Sequence, residues 1–128
     1  MCKSLRPILT ILAVFLTANL WAQSVKWSST VEPLEGDSYR IVLEAAIPVP
    51  YHMYDMGPYE GGPNATVITF TPSEGIVLEG EVEQLTAPHR YFDKTYGMEI
   101  GTFEGKAQFA QRVRLTAPQA AVKATLEW

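Results

Sequence analysis

From residue 25 onward, apolar and polar positions alternate with a period of two over one short stretch after another, the pattern of strands with one buried face. Over 25–32, Val25, Trp27 and Val31 fall on one side and Lys26, Ser28, Thr30 and Glu32 on the other. Pro33 with Glu35, Gly36 and Asp37 then reads as a turn. Over 39–47, Tyr39, Ile41, Leu43, Ala45 and Ile47 face inward, and Pro48 and Pro50 end the strand because they bring no N–H to a ladder. These two strands predict a hairpin. Residues 66–70 form a further strand, and after it Ile76, Leu78 and Val82 share a face opposite Glu79, Glu81 and Glu83. That carboxylate row reads as a solvated strand face, since three flexible Glu without a His hold a metal weakly and without selectivity.

The clearest strands are 98–103 and 106–116, separated by a Glu104-Gly105 turn. In the second, Ala107, Phe109, Val113 and Leu115 alternate with Lys106, Gln108, Arg112 and Arg114, and Gln111 falls on the inward face, where burial demands a hydrogen-bond partner. A last strand places Val122, Ala124, Leu126 and Trp128 inward. Two stretches lack a period: 51–65, a long loop that touches a sheet near 52–54, and 87–97. Loops of that length often carry function. No segment has the periodicity of a long helix. Seven to eight short antiparallel strands in about 100 residues predict an all-β, immunoglobulin-like β-sandwich.

The first 22 residues stand apart. Lys3 and Arg6 precede an uncharged apolar run over 8–18, and the small residue Ala22 follows Asn19, Leu20 and Trp21, the layout of a secretory signal peptide cleaved after Ala22. Pro7, Asn19, Gln23 and Ser24 interrupt the run below the roughly 20 apolar residues of a membrane span. The expected domain is 23–128, exported across a membrane. It loses Cys2, the chain's one cysteine, and keeps eight Lys+Arg against fourteen Asp+Glu, a net charge of −6. Such a balance offers nucleic acid no basic surface and anionic membranes no attraction.

Composition narrows the chemistry further. With no cysteine after Cys2 and no G-x-S-x-G elbow, nucleophilic hydrolysis has no candidate, and Gly61-Gly62-Pro63 is a turn, not a phosphate loop. No catalytic residue, resident metal or cofactor is assigned. His52, Met53, Met56, His89 and Met98 are a soft donor set that suits copper(I), against the ordinary roles of Met as gap filler and His as a bonded scaffold residue.

The stretch HRYFDKTYGMEIGTFEGKAQFAQRVRLTAPQAAVKATLEW, residues 89–128, resembles the periplasmic N-terminal domain of the thiol:disulfide interchange protein DsbD, through its acidic-aromatic loop ending in Tyr-Gly, the hairpin after it and the last strand. Tyr51-His52-Met53-Tyr54, Gly61-Gly62-Pro63 and Lys26-Trp27 look like variants of the same family. The resemblance implies a protein-disulfide reductase module that takes electrons from a thioredoxin-like domain and passes them to periplasmic thiol-disulfide proteins, with roles in pathways such as cytochrome c biogenesis. It implies that residues 92–97 form a cap over a redox cysteine pair: Tyr96 and Gly97 match the aromatic-glycine end of the cap and Asp93 an acidic residue near the thiols. Thr95 stands where an aromatic is common, which leaves shielding to Phe92. Tyr51, His52 and Tyr54 form a second loop beside it. In that family the pair follows the strand matching 121–128, so the sequence as given is expected to be a truncated copy and redox-inert by itself. The alternative is a non-enzymatic exported sandwich that binds protein through loops 51–65 and 88–97.

Overall fold

The computed structural model describes residues 11–18 and 25–128. Ten strands follow in order: β1 (Ile11–Ala18), β2 (Lys26–Pro33), β3 (Ser38–Ile47), β4 (Met53–Tyr54), β5 (Val67–Pro72), β6 (Ile76–Gln84), β7 (His89–Asp93), β8 (Met98–Phe103), β9 (Gly105–Leu115) and β10 (Gln119–Glu127). The described residues contain no helix, so the all-β expectation holds. Three sheets form, in the orders β2-β3-β9-β6, β1-β10-β5 and β4-β8-β7.

The architecture is consistent with a β-sandwich because the inward rows of the first two sheets meet in one core. Ile41, Leu43, Ala45 and Ile47 of β3, with Ala107, Phe109, Val113 and Leu115 of β9, pack with Ile68 and Phe70 of β5 and Val122, Ala124 and Leu126 of β10. Period-two alternation fixes which residues enter it. The β2–β3 hairpin forms as expected, antiparallel from Lys26↔Ala46 to Pro33↔Tyr39. Trp27 seals one end of the core between Phe109 and Trp128, at ring-centroid distances of 5.9 and 5.7 Å.

Some expectations need correction. Residues 89–93, read as part of an irregular stretch, are strand β7, paired with β8 from His89↔Thr102 to Asp93↔Met98. Its residues are exposed or half-buried, so no inward row of apolar side chains marks it in the sequence. The strands 98–103 and 106–116 do not form a hairpin with each other: β8 pairs with β4 and β7, and β9 with β3 and β6, so the chain changes sheet at Glu104. Val31, although paired with the buried Ile41, is 37% exposed on edge strand β2, which has no neighbouring strand on its outer side. The glutamate row on β6 is broken by a bulge between Glu79 and Glu83, where Gly80 takes φ +75°. Glu79 there pairs with Arg112 and Arg114 at 3.2 and 3.3 Å, and Arg112 also binds Glu35 at 2.6 Å. The Arg112 hydrogen bond holds the Glu35 carboxyl below the usual carboxylate range. Gln111 does point inward, and its Nε2 donates to the carbonyls of Glu79, Gly80 and Arg112 at 3.2, 3.1 and 2.9 Å. The inward amide thus meets carbonyls where the bulge begins on β6 and on β9 beside it.

Residues 11–18, within the segment expected to leave as a signal peptide, form β1. It lies parallel to β10, from Ile11↔Gln119 to Ala18↔Leu126. The cleavage position after Ala22 and Cys2 lie outside the described residues. Among the described residues, no helix is long and apolar enough to cross a membrane.

Candidate functional site

Two loops meet at one end of the molecule, and each is held by different chemistry. The first begins with β4, where Met53 and Tyr54 pair with Phe103 and Thr102. Tyr51 and His52 precede it, exposed, while the Met53 side chain is buried in the core. The His52 ring meets Tyr54 edge-on at 5.3 Å.

Behind β4 the loop is fastened by Asp55, which is buried to 3% exposure. Its Oδ1 accepts a short hydrogen bond from the Tyr59 hydroxyl and a 3.1 Å bond from the Gly57 N–H. Its Oδ2 faces the Arg90 guanidinium at 3.1 Å. The Tyr59 oxygen in turn accepts from the Gly101 N–H at 2.8 Å, and the Asp55 N–H donates to the Gly101 carbonyl at 2.9 Å. Two further bonds close the loop's ends: the Thr66 hydroxyl donates to the Tyr54 carbonyl at 2.6 Å, and the Met56 N–H to Gln84 Oε1 at 2.7 Å. The carboxylate, whose lone pairs are met by donors as burial requires, thus ties its loop to β7 directly and to β8 through Tyr59, and Gln84 adds a bond from β6.

The second loop is the turn between β7 and β8. Asp93 Oδ1 accepts from the Thr95 and Tyr96 N–H groups at 2.8 and 3.1 Å, and the Asp93 carbonyl from Gly97 N–H at 2.8 Å. Gly97 closes the turn at φ +69°, a conformation natural to glycine. The carboxylate expected near thiols is therefore occupied in shaping the turn that presents Tyr96. Phe92 stands 64% exposed.

Between the loops lies a cleft of about 340 Å³, lined by Tyr51, His52, Met53, Tyr54, Asn64 and Tyr96, together with Val25 and Trp128. The sequence-expected residues Tyr51, His52, Tyr54 and Tyr96 thus come together on it, whereas Phe92, Asp93, Thr95 and Gly97 are not part of its lining. The copper(I) set is divided: His52 and the largely buried Met53 line this cleft, whereas His89 lines a separate cavity with Thr86, Thr102 and Lys106. Among the described residues, no three His, Cys, Asp or Glu side chains gather as a metal site.

Burial raises the Tyr54 hydroxyl above its ordinary pKa of 10.0, with Tyr96, Tyr91 and Asp93 adding to the effect. Tyr59 is raised by burial and by its bond to Asp55. Both contribute stability that is complete below pH 10 and is lost as pH rises through the raised values. In an alkaline absorbance titration, the part of the curve missing from Tyr54→Phe and from Tyr59→Phe is therefore expected to lie above the ordinary tyrosine pKa of 10.0; a missing part centred at or below that value would contradict the burial of these hydroxyls.

Asp55, Tyr59, Arg90 and Gly101 were not singled out by the sequence pattern. The available signal was Gly101 in the middle of an apolar strand, a mark of close approach by other atoms. A Cβ at Gly101 would run into the Asp55 carboxylate and lie 3.1 Å from Pro88 Cβ. Comparison of the chain with protein-family models, curated proteins and solved structures returned no match.

Proposed function

We propose that residues 23–128 are the lid-bearing immunoglobulin-like sandwich of a DsbD-like periplasmic thiol-disulfide relay. The observation that carries this reading is the cleft on which Tyr96, from the expected cap turn, faces Tyr51, His52 and Tyr54 beside Trp128. In the resembling family the redox cysteines follow the strand matching 121–128, so a pair directly after Trp128 would emerge at this cleft. Tyr96 and Tyr54 would then cover it. Exchange needs a thiolate with access to a disulfide sulfur, so aromatic walls slow small thiols until a partner displaces the turn.

The expected partners are a thioredoxin-like domain as electron donor and periplasmic disulfide proteins as acceptors. Each transfer moves two electrons: the donor's dithiol becomes a disulfide as the relay's disulfide is reduced, and the relay then returns to a disulfide by reducing the acceptor. A second reading, a non-enzymatic module that binds protein through the same loops, is favoured by one observation: residues 23–128 contain no cysteine.

Reading the coding DNA past codon 128 separates the two. The relay requires an open frame with two cysteine codons soon after Trp128; an immediate stop, or a continuation without cysteine, leaves the binding module. In a protein that carries the pair, Tyr96→Ala is expected to speed alkylation or reduction of those sulfurs by small reagents several-fold. An unchanged rate removes the lid role.

A further inference from the structure

The strand β1 covers an edge. In the sheet β1-β10-β5 it is the outermost strand on that side, and its removal would leave the ladder groups of β10 without partners from Gln119 to Leu126. The edge is more than backbone. Leu12, Val14 and Leu16 of β1 are partly buried against the core formed by Val122, Ala124, Leu126 and their neighbours, while Phe15, on the opposite side, is 59% exposed. Thr17 Oγ1 adds a 3.4 Å bond to the Ala124 carbonyl. An eight-residue strand without a charged residue therefore fills both a row of hydrogen bonds and an apolar slot.

We infer that, once residues 1–22 have been removed, the outer edge of β10 is a docking site for an extended segment of another polypeptide that runs parallel to β10 and carries bulky apolar side chains at every second position. Pairing of two copies through β10 fits less well, because each copy's Val122, Ala124 and Leu126 already point into its own core and bring nothing to the slot that Leu12, Val14 and Leu16 fill. An added strand supplies both kinds of contact, with main-chain bonds giving affinity and alternate side chains giving selectivity. An open apolar edge is otherwise prone to aggregate. The parallel direction also sets where such a segment leads: β1 ends at Ala18 opposite Leu126, two residues before Trp128, which lines the tyrosine cleft. This inference rests on removal of residues 1–22 and is independent of the redox reading.

The test starts from the full chain with a specific protease site inserted between Ala22 and Gln23. After cleavage, the protein is challenged with a labelled peptide of sequence ILAVFLTA flanked by lysines for solubility. The peptide is expected to enter the complex and displace the cut segment. Peptides with Leu12→Ser, Val14→Ser and Leu16→Ser together should bind more than about tenfold more weakly, and Phe15→Ser within about twofold. If the cut domain loses its β signal when the segment leaves, restoration by the native peptide and not by the triple-serine peptide supports the site. Absence of exchange, equal binding of the two peptides, or unfolding that the native peptide does not reverse overturns it. So does intact-mass analysis of the exported protein that finds residues 11–18 retained.

Discussion

Phe109→Ala is expected to lower the thermal midpoint by more than about 10 °C and to leave little folded protein at 37 °C. Phe109 is fully buried at the middle of β9, the strand flanked on both sides by β3 and β6. Its ring meets Phe103 edge-on at 5.7 Å and Trp27 at 5.9 Å, so it joins the four-stranded sheet to the small sheet of β8 and to the tryptophan seal. Removing such a ring costs about 3–5 kcal/mol, because the transfer energy is lost and the surroundings close the cavity only in part. Against a total of about 5–15 kcal/mol, that is a large fraction. Each kilocalorie shifts the midpoint of a domain near this size by roughly 4–8 °C. Differential scanning calorimetry gives the result directly, and a shift of only a degree or two would mean that β9 is not the centre of the core. Phe109→Leu, which keeps most of the apolar volume, should recover much of the loss.

The second large effect concerns Asp55. Asp55→Ala strips the acceptor from the Tyr59 hydroxyl and the Gly57 N–H and leaves Arg90 with only Glu99, 3.4 Å away. Leaving buried donors unmet is expected to cost about 2–3 kcal/mol. Asp55→Asn retains an oxygen for Tyr59 and Gly57 and should cost about half as much. Gly101→Ala attacks the same point from the other side, since its methyl group occupies the space of the carboxylate. The distinguishing measurement is amide hydrogen exchange. In Asp55→Ala and Gly101→Ala, protection should fall at Asp55, Thr66 and Gly101, the N–H groups bonded across the latch, more than at β3 or β9. Uniform loss across the chain would show that Asp55 supports the domain as a whole and has no special hold on the loop.

The parts of this fold that were legible in the sequence are those governed by a buried face. β3, β9 and β10 alternate because each has the core on one side and solvent on the other, and the pleat turns that difference into a written pattern. The role of Gln111 was legible for the same reason: a polar residue in an inward row must find a partner. β7 was not, because both its faces are at least partly open to solvent and no residue on it is fully buried. Sheet membership was also hidden at Glu104. A short turn between two good strands looks like a hairpin, yet the chain crosses there from β8 to the neighbour of β3, and that choice depends on partners far away in sequence.

The candidate site shows the same division. Tyr51, His52, Tyr54 and Tyr96 lie on the two stretches without period and were singled out by the family resemblance, and they line one cleft. Asp55 and Arg90 are 35 residues apart and their pairing has no local signature. The loop's anchorage is a tertiary event, written into the sequence only as a glycine in a strand.

The contrast between the cleft's two walls has a mechanical consequence. One wall is moored to three other segments through Asp55, Tyr59, Thr66 and Gln84. The backbone bonds that shape the opposite turn all end on Asp93, within the turn itself. Loosening the Tyr96 turn therefore needs only bonds internal to that turn to break, whereas loosening the Tyr54 wall also needs bonds to β6, β7 and β8 to break.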